Sequence, residues 1–390
     1  MFGEGWASFF GELTMEDERQ SNGQYKGQSR GSCKVWMAAG VMILTFISVF
    51  QASSEEPGPS GERLFISEAM LDQMIEQMPA LPGKIGPLPP VPIPQNNPMS
   101  TAKIELGKML FFDPRLSANN HWACSTCHNP ALAYGDGIPR SLGFGNEKEL
   151  ARHAPTLFNV AYNEYQFWDG RVGSLEEQAK APIQNPKEMN SRPDELMKKI
   201  SAIPGYRSRF VAVFGEEPNF DNLVKAIATF ERTVIAKNSP FDHYAMGEKT
   251  ALTPQEKRGL ILFVSKAACS RCHNGPNFID NKFHNLGLPQ VGPMKEDLGR
   301  YQVTKQDQDR RAFKTPTLRN ITLTAPHMHN GVFKTLEEVL DFYNRGGGED
   351  PAKSEEIFPL HLTDQEQKDV VVFLKALTGD LNLMAPPLLP

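Results

Sequence analysis

The chain has 390 residues, which is enough for two or three domains of ordinary size. Its hydrophobic content of 40% and charged content of 22% predict a packed globular core. The net charge of −5 gives no sign of nucleic-acid binding, which would need a basic patch. With 31 glycines and 31 prolines, much of the chain is expected to form loops.

Residues 1–54 are predicted to be a leader segment. The mostly apolar run Met37–Phe50 is shorter than the roughly 20 residues that a membrane span needs, and it fits the core of a signal peptide. Basic residues precede the run, and the small residues at 52–54 offer a cleavage site. An uncleaved N-terminal membrane anchor is the alternative. Either interpretation predicts that the body of the protein is exported.

Residues 55–99 are predicted to hold a short amphipathic helix at 63–78, followed by an extended arm. The arm is expected to be polyproline-like, because eight prolines fall between Pro79 and Pro98. It could be a bare linker or a segment that wraps on the surface.

Apolar residues at helical spacing then predict a mainly α fold with long loops and no strand-rich region. The predicted helices are 100–112, 204–214, 221–236, 253–264, 336–343 and 363–377. A break near 237–240 is taken as a domain boundary, which divides the body into 100–239 and 240–383.

A Cys-x-x-Cys-His motif occurs twice, and the two copies hold four of the five cysteines. The copies are Cys124, Cys127 and His128, and Cys269, Cys272 and His273. This pattern is the attachment signature of a c-type haem, in which the thiols add to the vinyl groups and the histidine becomes the proximal iron ligand. A zinc ribbon with spectator histidines is the alternative, and the wide gap between the two pairs argues against it.

A faint internal repeat surrounds the motifs. Gly107-x-x-Leu-Phe precedes the first motif and Gly259-x-x-Leu-Phe precedes the second. We therefore predict two tandem cytochrome c-like domains with two covalently bound c-type haems. Haem of this type is attached outside the cytoplasm in bacteria, which agrees with a periplasmic location. Cys33 lies outside both motifs, so no even-numbered disulfide framework remains and disulfides are not expected.

Longer motifs resemble those of the bacterial di-haem cytochrome c peroxidases and their relative MauG, in the family's order and over about residues 85–385. The matching segments are 106–117 with the first haem motif, 154–159, 166–171, 177–185, the second haem motif, 316–320 and 323–326. The resemblance implies that the N-terminal haem meets hydrogen peroxide and that the C-terminal haem passes electrons.

The resemblance also assigns three catalytic candidates. Trp168 matches the family's tryptophan between the haems, although it could be plain core filler. Glu188 matches the acid–base residue that moves a proton while peroxide is split, and Gln178 lies beside it. Without the motif, Glu188 would be interpreted as a solvated surface glutamate.

The sixth iron positions follow from the same resemblance. In the peroxidases a loop histidine blocks the first iron until the partner haem is reduced. Here the loop Leu142–Gly145 carries Phe144, which cannot bind iron, so an open, high-spin first haem is expected. At the second iron the family's methionine position falls on Tyr343, as in MauG. Residue type alone suggests Met328, and Tyr343 could instead be a core tyrosine. A phenolate is a hard anionic donor that stabilises high iron oxidation states.

The family also places a calcium ion between its domains. Thr324 and Pro326 match the carbonyl ligands, but His153 replaces the asparagine ligand and is a poor donor for calcium. This replacement argues against calcium in the present chain.

Three functions remain open at the level of sequence. The favoured one is a MauG-like enzyme that oxidises aromatic side chains of a partner protein through Trp168. The second is a cytochrome c peroxidase that takes electrons from a small donor protein of cytochrome c or cupredoxin type. The third is a non-enzymatic di-haem electron carrier. The family is often a homodimer, but no interface is recognisable in the sequence.

Overall fold

A computed structural model describes residues 66–78, 85–146, 149–381 and 383–390. Within it, Ser67–Pro390 forms one compact unit. The predicted leader at 1–54 lies outside the described residues, as do the first residues of the predicted helix 63–78 and the beginning of the proline-rich arm. In this described part, no helix is both long enough and apolar enough to cross a membrane.

The described fold is mainly α-helical, as predicted. Its helices are α1 Glu68–Glu76, α2 Thr101–Phe111, α3 Cys124–Cys127, α4 Leu175–Gln184, α5 Pro193–Ser201, α6 Pro204–Phe214, α7 Phe220–Glu231, α8 Pro240–Ala245, α9 Pro254–Val264, α10 Tyr301–Thr304, α11 Leu336–Asn344 and α12 Asp364–Lys375. Two short strands, β1 Phe283–His284 and β2 Phe313–Lys314, pair antiparallel. Long loops connect these elements.

Side-chain caps determine where several helices begin. The Ser100 hydroxyl accepts a hydrogen bond from the Lys103 N–H at 3.3 Å and starts α2. Thr253, Thr335 and Thr363 form capping boxes with a glutamate at the start of α9, α11 and α12. Such caps satisfy N–H groups that the first helical turn leaves unpaired, so these beginnings can be predicted from the sequence.

Other elements differ from the prediction. Helices α4, α5, α8 and α10 are not predicted from the sequence. Pro182 lies inside α4, where a proline normally argues against a helix. The predicted helix 221–236 is wrong over its last five residues, because α7 ends at Glu231. The chain beyond α7 passes Asn159, whose side-chain oxygen accepts from the Ala236 N–H at 2.9 Å. That contact requires a non-helical backbone.

The two halves of the body repeat one helix crossing. Helix α2 packs on α7, and α9 packs on α12. A Cβ atom added at Gly107 would collide with the Ala226 carbonyl, and one added at Gly259 would collide with the Asp369 carbonyl. Both helix pairs therefore approach so closely that only glycine fits at the crossing. The repeat that is faint in the sequence is clear in the packing.

A turn between each haem motif and the following helix also repeats. Gln166 forms an isolated antiparallel β-bridge with Val172 before α4, and His327 forms one with Phe333 before α11. Trp168 and His329 follow their bridging residues at the same distance along the chain, so the two side chains hold corresponding positions in the two halves.

Backbone hydrogen bonds join these turns across the halves in a reciprocal way. The Lys314 N–H donates to the Trp168 carbonyl at 2.8 Å, and the His153 N–H donates to the His329 carbonyl at 2.8 Å. The predicted boundary between residues 239 and 240 stays a prediction.

The described part of the proline-rich arm, from residue 85 to 99, is extended and bonded to the body. The Tyr162 hydroxyl donates to the Pro89 carbonyl at 2.7 Å. The Asn97 side-chain amide donates to the Lys225 carbonyl at 2.9 Å, and the Arg319 guanidinium donates to the Gly86 carbonyl at 2.9 Å. This part of the arm is a wrapping segment, not a bare linker.

Candidate active site

The first motif lies between two apolar clusters of the N-terminal half. Cys127 packs against the cluster around Leu106 of α2, and Cys124 packs against a second cluster around Phe230 of α7. The imidazole Nδ1 of His128 donates to the Tyr134 carbonyl at 3.1 Å. This bond fixes the ring orientation and leaves Nε2 as the nitrogen with a free lone pair.

A cavity of about 1340 Å³ opens beside this motif. Its wall contains every residue that the sequence analysis assigned to the first haem. These residues are Cys124, Cys127, His128, Trp168, Gln178 and Glu188. Phe144 of the loop Leu142–Gly145 also lines the cavity. The fold thus brings together residues that lie far apart in the sequence.

Glu188 is a largely buried carboxyl on the cavity wall, not a solvated surface glutamate. Burial raises the pKa of its carboxyl, while the Asn185 side chain, which donates to Glu188 Oε1 at 2.6 Å, and the Arg171 charge act in the opposite direction. The carboxyl is therefore held in one orientation on the cavity wall. A raised pKa places its proton exchange closer to neutral pH.

Phe144 is fixed next to this carboxyl. Its backbone N–H donates to the Lys187 carbonyl at 2.8 Å, one residue before Glu188. The loop Leu142–Gly145 is thus tied to the segment that carries Glu188. An aromatic ring without a metal-binding atom occupies that position.

The second motif has the same arrangement. The imidazole Nδ1 of His273 donates to the Phe278 carbonyl at 3.1 Å. A narrower cavity of about 230 Å³ lies beside Cys269, Cys272 and His273. One face of α11 lines it with Leu336, Val339, Leu340 and Tyr343. The helical spacing in the sequence predicts this shared face.

Two candidates for the sixth ligand reach the second cavity, Tyr343 and Met328. Burial raises the pKa of the Tyr343 phenol, and the residue shares the cavity wall with Cys269 and Cys272. Tyr343 lies on α11, the helix that follows the bridged turn of the C-terminal half. Gln178 lies on α4, the helix that follows the equivalent turn of the N-terminal half. Met328 comes from the turn itself, at the position that corresponds to Phe167.

Trp168 lies where the two cavities meet, and it lines both. Its indole N–H donates to the His153 carbonyl at 2.9 Å. Its ring meets the His329 imidazole edge to face with centroids 6.4 Å apart, and His329 stacks on Phe313 at 3.5 Å. Burial lowers the pKa of His329 to about 3, so this ring is neutral at ordinary pH.

An ion-pair network holds the same junction. Arg152 bridges Asp169 and Asp297, with N–O distances of 2.7 Å to each. Asp169 follows Trp168 directly, whereas Asp297 belongs to the C-terminal half. Arg152 thereby ties the backbone next to the tryptophan to the second half of the body.

The donor sets fit haem of the c type. In each motif a histidine is oriented by a backbone carbonyl, which is the usual arrangement for a metal-binding imidazole. Burial raises the pKa of Cys127 to about 12 and that of Cys269 to about 12, so these thiols are neutral, and both motifs face a cavity with largely apolar walls. The pairs of cysteines lie at different cavities, which is incompatible with one zinc ribbon that uses both.

Some residues of the site are missed by sequence reasoning. Arg152, Lys314, His329 and Glu231 line a cavity or the junction, but they match no motif that sequence reasoning used. Burial raises the pKa of Glu231 to about 8, and its Oε2 has no hydrogen-bond partner among the described residues. His153, which stands at the predicted position of a calcium ligand, is buried and donates from Nδ1 to the Ile138 carbonyl at 2.9 Å.

Comparison with known proteins gives a consistent result. Residues 101–250 match the family model described as di-haem cytochrome c peroxidase. The chain is 42% identical over 335 residues to the cytochrome-c peroxidase IdrP1 of Pseudomonas sp. (strain SCT), which covers 78% of this chain and 87% of that protein. It is 40% identical over 326 residues to the methylamine utilization protein MauG of Methylorubrum extorquens, with coverage of 83% and 91%.

A solved structure is similar as well. The crystal structure of a MauG-like protein associated with microbial copper homeostasis aligns with a TM-score of 0.71 and 33% identity. The alignment covers 77% of this chain and 95% of that one. The named relatives thus include both cytochrome c peroxidases and MauG proteins.

Proposed function

This chain belongs to the di-haem cytochrome c peroxidase family, and from that premise we propose that it is a MauG-like haem peroxidase. Its first site is open to hydrogen peroxide, and its second site is capped by Tyr343. Its product is an oxidised side chain on a partner protein, and it works in the periplasm after export. Membership of the family favours an enzyme over a non-enzymatic electron carrier.

The observation that carries the proposal is the Phe144–Lys187 hydrogen bond. It holds a residue that cannot bind iron on the wall of the first cavity, beside Glu188. A site built in this way needs no reduction of a partner haem before peroxide can enter. The presence of Tyr343 on the wall of the second cavity supports the same branch of the family.

The chain would hold one haem through Cys124, Cys127 and His128, and the other through the second motif. A bound haem supplies an iron that accepts peroxide and exchanges electrons. Calcium is not part of the proposal, because His153 offers nitrogen where calcium prefers oxygen.

Glu188 moves the proton in this scheme. Its carboxylate takes a proton from one oxygen of peroxide and returns it to the other oxygen, which leaves as water. The Asn185 amide keeps the carboxyl aimed into the cavity through the 2.6 Å hydrogen bond. In this scheme Gln178, which lines the same cavity, orients peroxide with its side-chain amide.

Trp168 connects the two sites. Its ring borders both cavities, so electrons from the second site and from a protein substrate can reach the first through it. In this proposal the partner protein is oxidised from the surface over a distance, with Trp168 as the connection between the two sites.

Optical and electron spin resonance spectra of the oxidised protein test the proposal, before and after one equivalent of hydrogen peroxide. We expect a high-spin first haem, a second haem with nitrogen and phenolate ligands, and a rapid spectral change at both haems. A resting protein in which both haems are six-coordinate with nitrogen or sulfur ligands would overturn the proposal.

A cytochrome c peroxidase is the second candidate, because Met328 also reaches the second cavity and could supply a thioether. Steady-state assays separate the two candidates. Fast oxidation of reduced cytochrome c or of a cupredoxin by peroxide would favour the peroxidase. Slow turnover of these donors, together with a long-lived oxidised protein, would favour the MauG-like function.

A further inference from the structure

Lys314 is a buried cation at the place where the two cavities meet. It lies on β2, its side chain lines both cavities, and only 8% of the residue is exposed. Among the described residues, its ammonium makes one hydrogen bond, a long one of 3.3 Å to the carbonyl of the adjacent Thr315. It forms no ion pair in this part of the chain.

Other buried lysines are better satisfied. The Lys257 ammonium forms an ion pair with Asp72 at 2.9 Å. The Lys103 ammonium donates to the Asn97 side chain at 3.0 Å and to the Pro98 carbonyl at 2.7 Å. Lys314 therefore stands out as a buried ammonium whose hydrogen-bonding capacity is largely unused.

Nearby carboxylates do not fill this need. Asp280 exerts an electrostatic effect on Lys314, but it lies beyond ion-pair distance, and its Oδ2 accepts from His284 at 2.8 Å. Asp169 and Asp297 both form ion pairs with Arg152. Burial consequently lowers the pKa of Lys314 to about 8, which shows that the charged form is poorly stabilised by the protein alone.

Burying an unpaired ammonium costs several kcal/mol, so a lysine in this position calls for an anion that the polypeptide does not provide. A haem carries two propionate carboxylates, and each of the two cavities is built to receive a haem. We propose that Lys314 is the counter-ion of a haem propionate at the junction, and that it sets the reduction potential of that haem. The inference rests on the proposed function, because it requires haem at the motif concerned.

The backbone of Lys314 strengthens the argument. Its N–H donates to the Trp168 carbonyl at 2.8 Å, so its position is fixed relative to the tryptophan that borders both cavities. A charge held at this point acts on the electron path between the haems. Removing this charge disfavours the reduced form of both haems. The effect is larger for the haem whose propionate pairs with Lys314 than for the more distant haem.

The test compares Lys314→Met with Lys103→Met. The second variant removes the charge of a buried lysine that lines neither cavity. Haem content per chain is measured first, and spectroelectrochemical titration then gives the reduction potential of each haem. We expect two haems per chain in both variants. In Lys314→Met the equilibrium constant for reduction of one haem should fall at least tenfold, which is 59 mV for one electron. In Lys103→Met it should change less than twofold, and Lys314→Arg should stay near the parent.

The outcomes are distinguishable. Two attached haems with unchanged potentials in Lys314→Met would overturn the inference and leave the proposed function intact. A parent protein with fewer than two haems would contradict the proposed function itself. If Lys314→Met does not acquire its two haems, the same measurements are made on Lys314→Gln. A crystal structure of the haem-loaded parent with Lys314 Nζ more than 4 Å from every propionate oxygen would also overturn the inference.

Discussion

The rings of Trp168 and His329 meet edge to face, with their centroids 6.4 Å apart and their planes at 68°. The two residues occupy corresponding positions in the two halves of the body. The contact therefore joins the equivalent turns of the repeat at the junction of the two cavities. The neutral His329 ring therefore packs against the indole of Trp168 and helps to hold it at the junction.

Replacing Trp168 with Phe should slow the transfer of oxidising equivalents between the two sites while both haems remain attached. Phenylalanine keeps most of the packing area but is much harder to oxidise. Rapid-mixing optical spectra after one equivalent of peroxide would follow each haem separately. His329→Phe is the matched control, since it preserves the ring stack and the tryptophan. Simultaneous changes at both haems in Trp168→Phe, at the parent rate, would remove Trp168 from the route.

Phe144→His should restore a blocking ligand at the first site. The loop is held beside Glu188 through its backbone, so the substitution leaves its anchoring hydrogen bond in place. We expect a low-spin first haem in the resting protein and a requirement for partial reduction before peroxide reacts. Phe144→Leu controls for loss of the ring. Spin resonance of the oxidised variant is the measurement, and a persistent high-spin signal would show that this loop does not reach the iron.

Tyr343→Phe and Met328→Leu identify the ligand at the second site. The first removes only the phenol oxygen, and the second replaces the thioether by a branched hydrocarbon that cannot bind iron. If Tyr343 binds the iron, its variant alone changes the spectrum of the second haem and loses the long-lived oxidised state after peroxide. The reverse pattern would assign the position to Met328 and favour a cytochrome c peroxidase.

Glu188→Gln should slow the reaction with peroxide by roughly 10²–10⁴-fold, the usual contribution of a positioned acid–base group. In the parent, the rate should fall as the pH drops and the carboxylate is protonated. Because burial raises the pKa of Glu188, this fall should occur at a higher pH than for an ordinary glutamate. Asn185→Ala removes a hydrogen bond that lowers the pKa of Glu188, so the fall in rate of this variant should occur at still higher pH. Single-turnover rates of the parent and of Asn185→Ala between pH 4 and pH 9 measure this shift. Overlapping pH–rate profiles of the two proteins would contradict the role of Glu188.

Glu231→Gln should change the pH dependence of stability. Burial raises the pKa of Glu231 to about 8 in the folded protein, well above its value in the unfolded chain. Its contribution to stability is thus complete below the unfolded pKa and is lost as the pH rises through the folded pKa. The variant should match the parent near pH 5 and exceed it near pH 9 by on the order of 2 kcal/mol. Denaturant unfolding at both pH values measures this difference, and equal differences at the two values would refute it.

The sequence predicts the parts of this protein that depend on local chemistry. Capping residues such as Ser100 and Thr253 mark helix starts, because the bonds they make span only three residues. The Cys-x-x-Cys-His motifs specify a cofactor for the same reason. The face of α11 that carries Tyr343 follows directly from helical spacing.

Features that depend on distant partners were not predictable in this way. Helix α4 contains Pro182, and its existence depends on packing that outweighs local preference. Arg152 looks like any surface arginine until the fold places Asp297 next to it. Lys314 is part of an ordinary Phe-Lys-Thr segment, and only the closure of two cavities around it reveals an unsatisfied charge.

The reciprocal hydrogen bonds of His153 and Lys314 carry a consequence for dissection of the protein. In each half, a backbone N–H donates to a carbonyl at the cavity rim of the other half. A fragment expressed alone would present that rim to solvent and lose the wall that its neighbour contributes. We therefore expect that neither half folds stably when it is expressed alone.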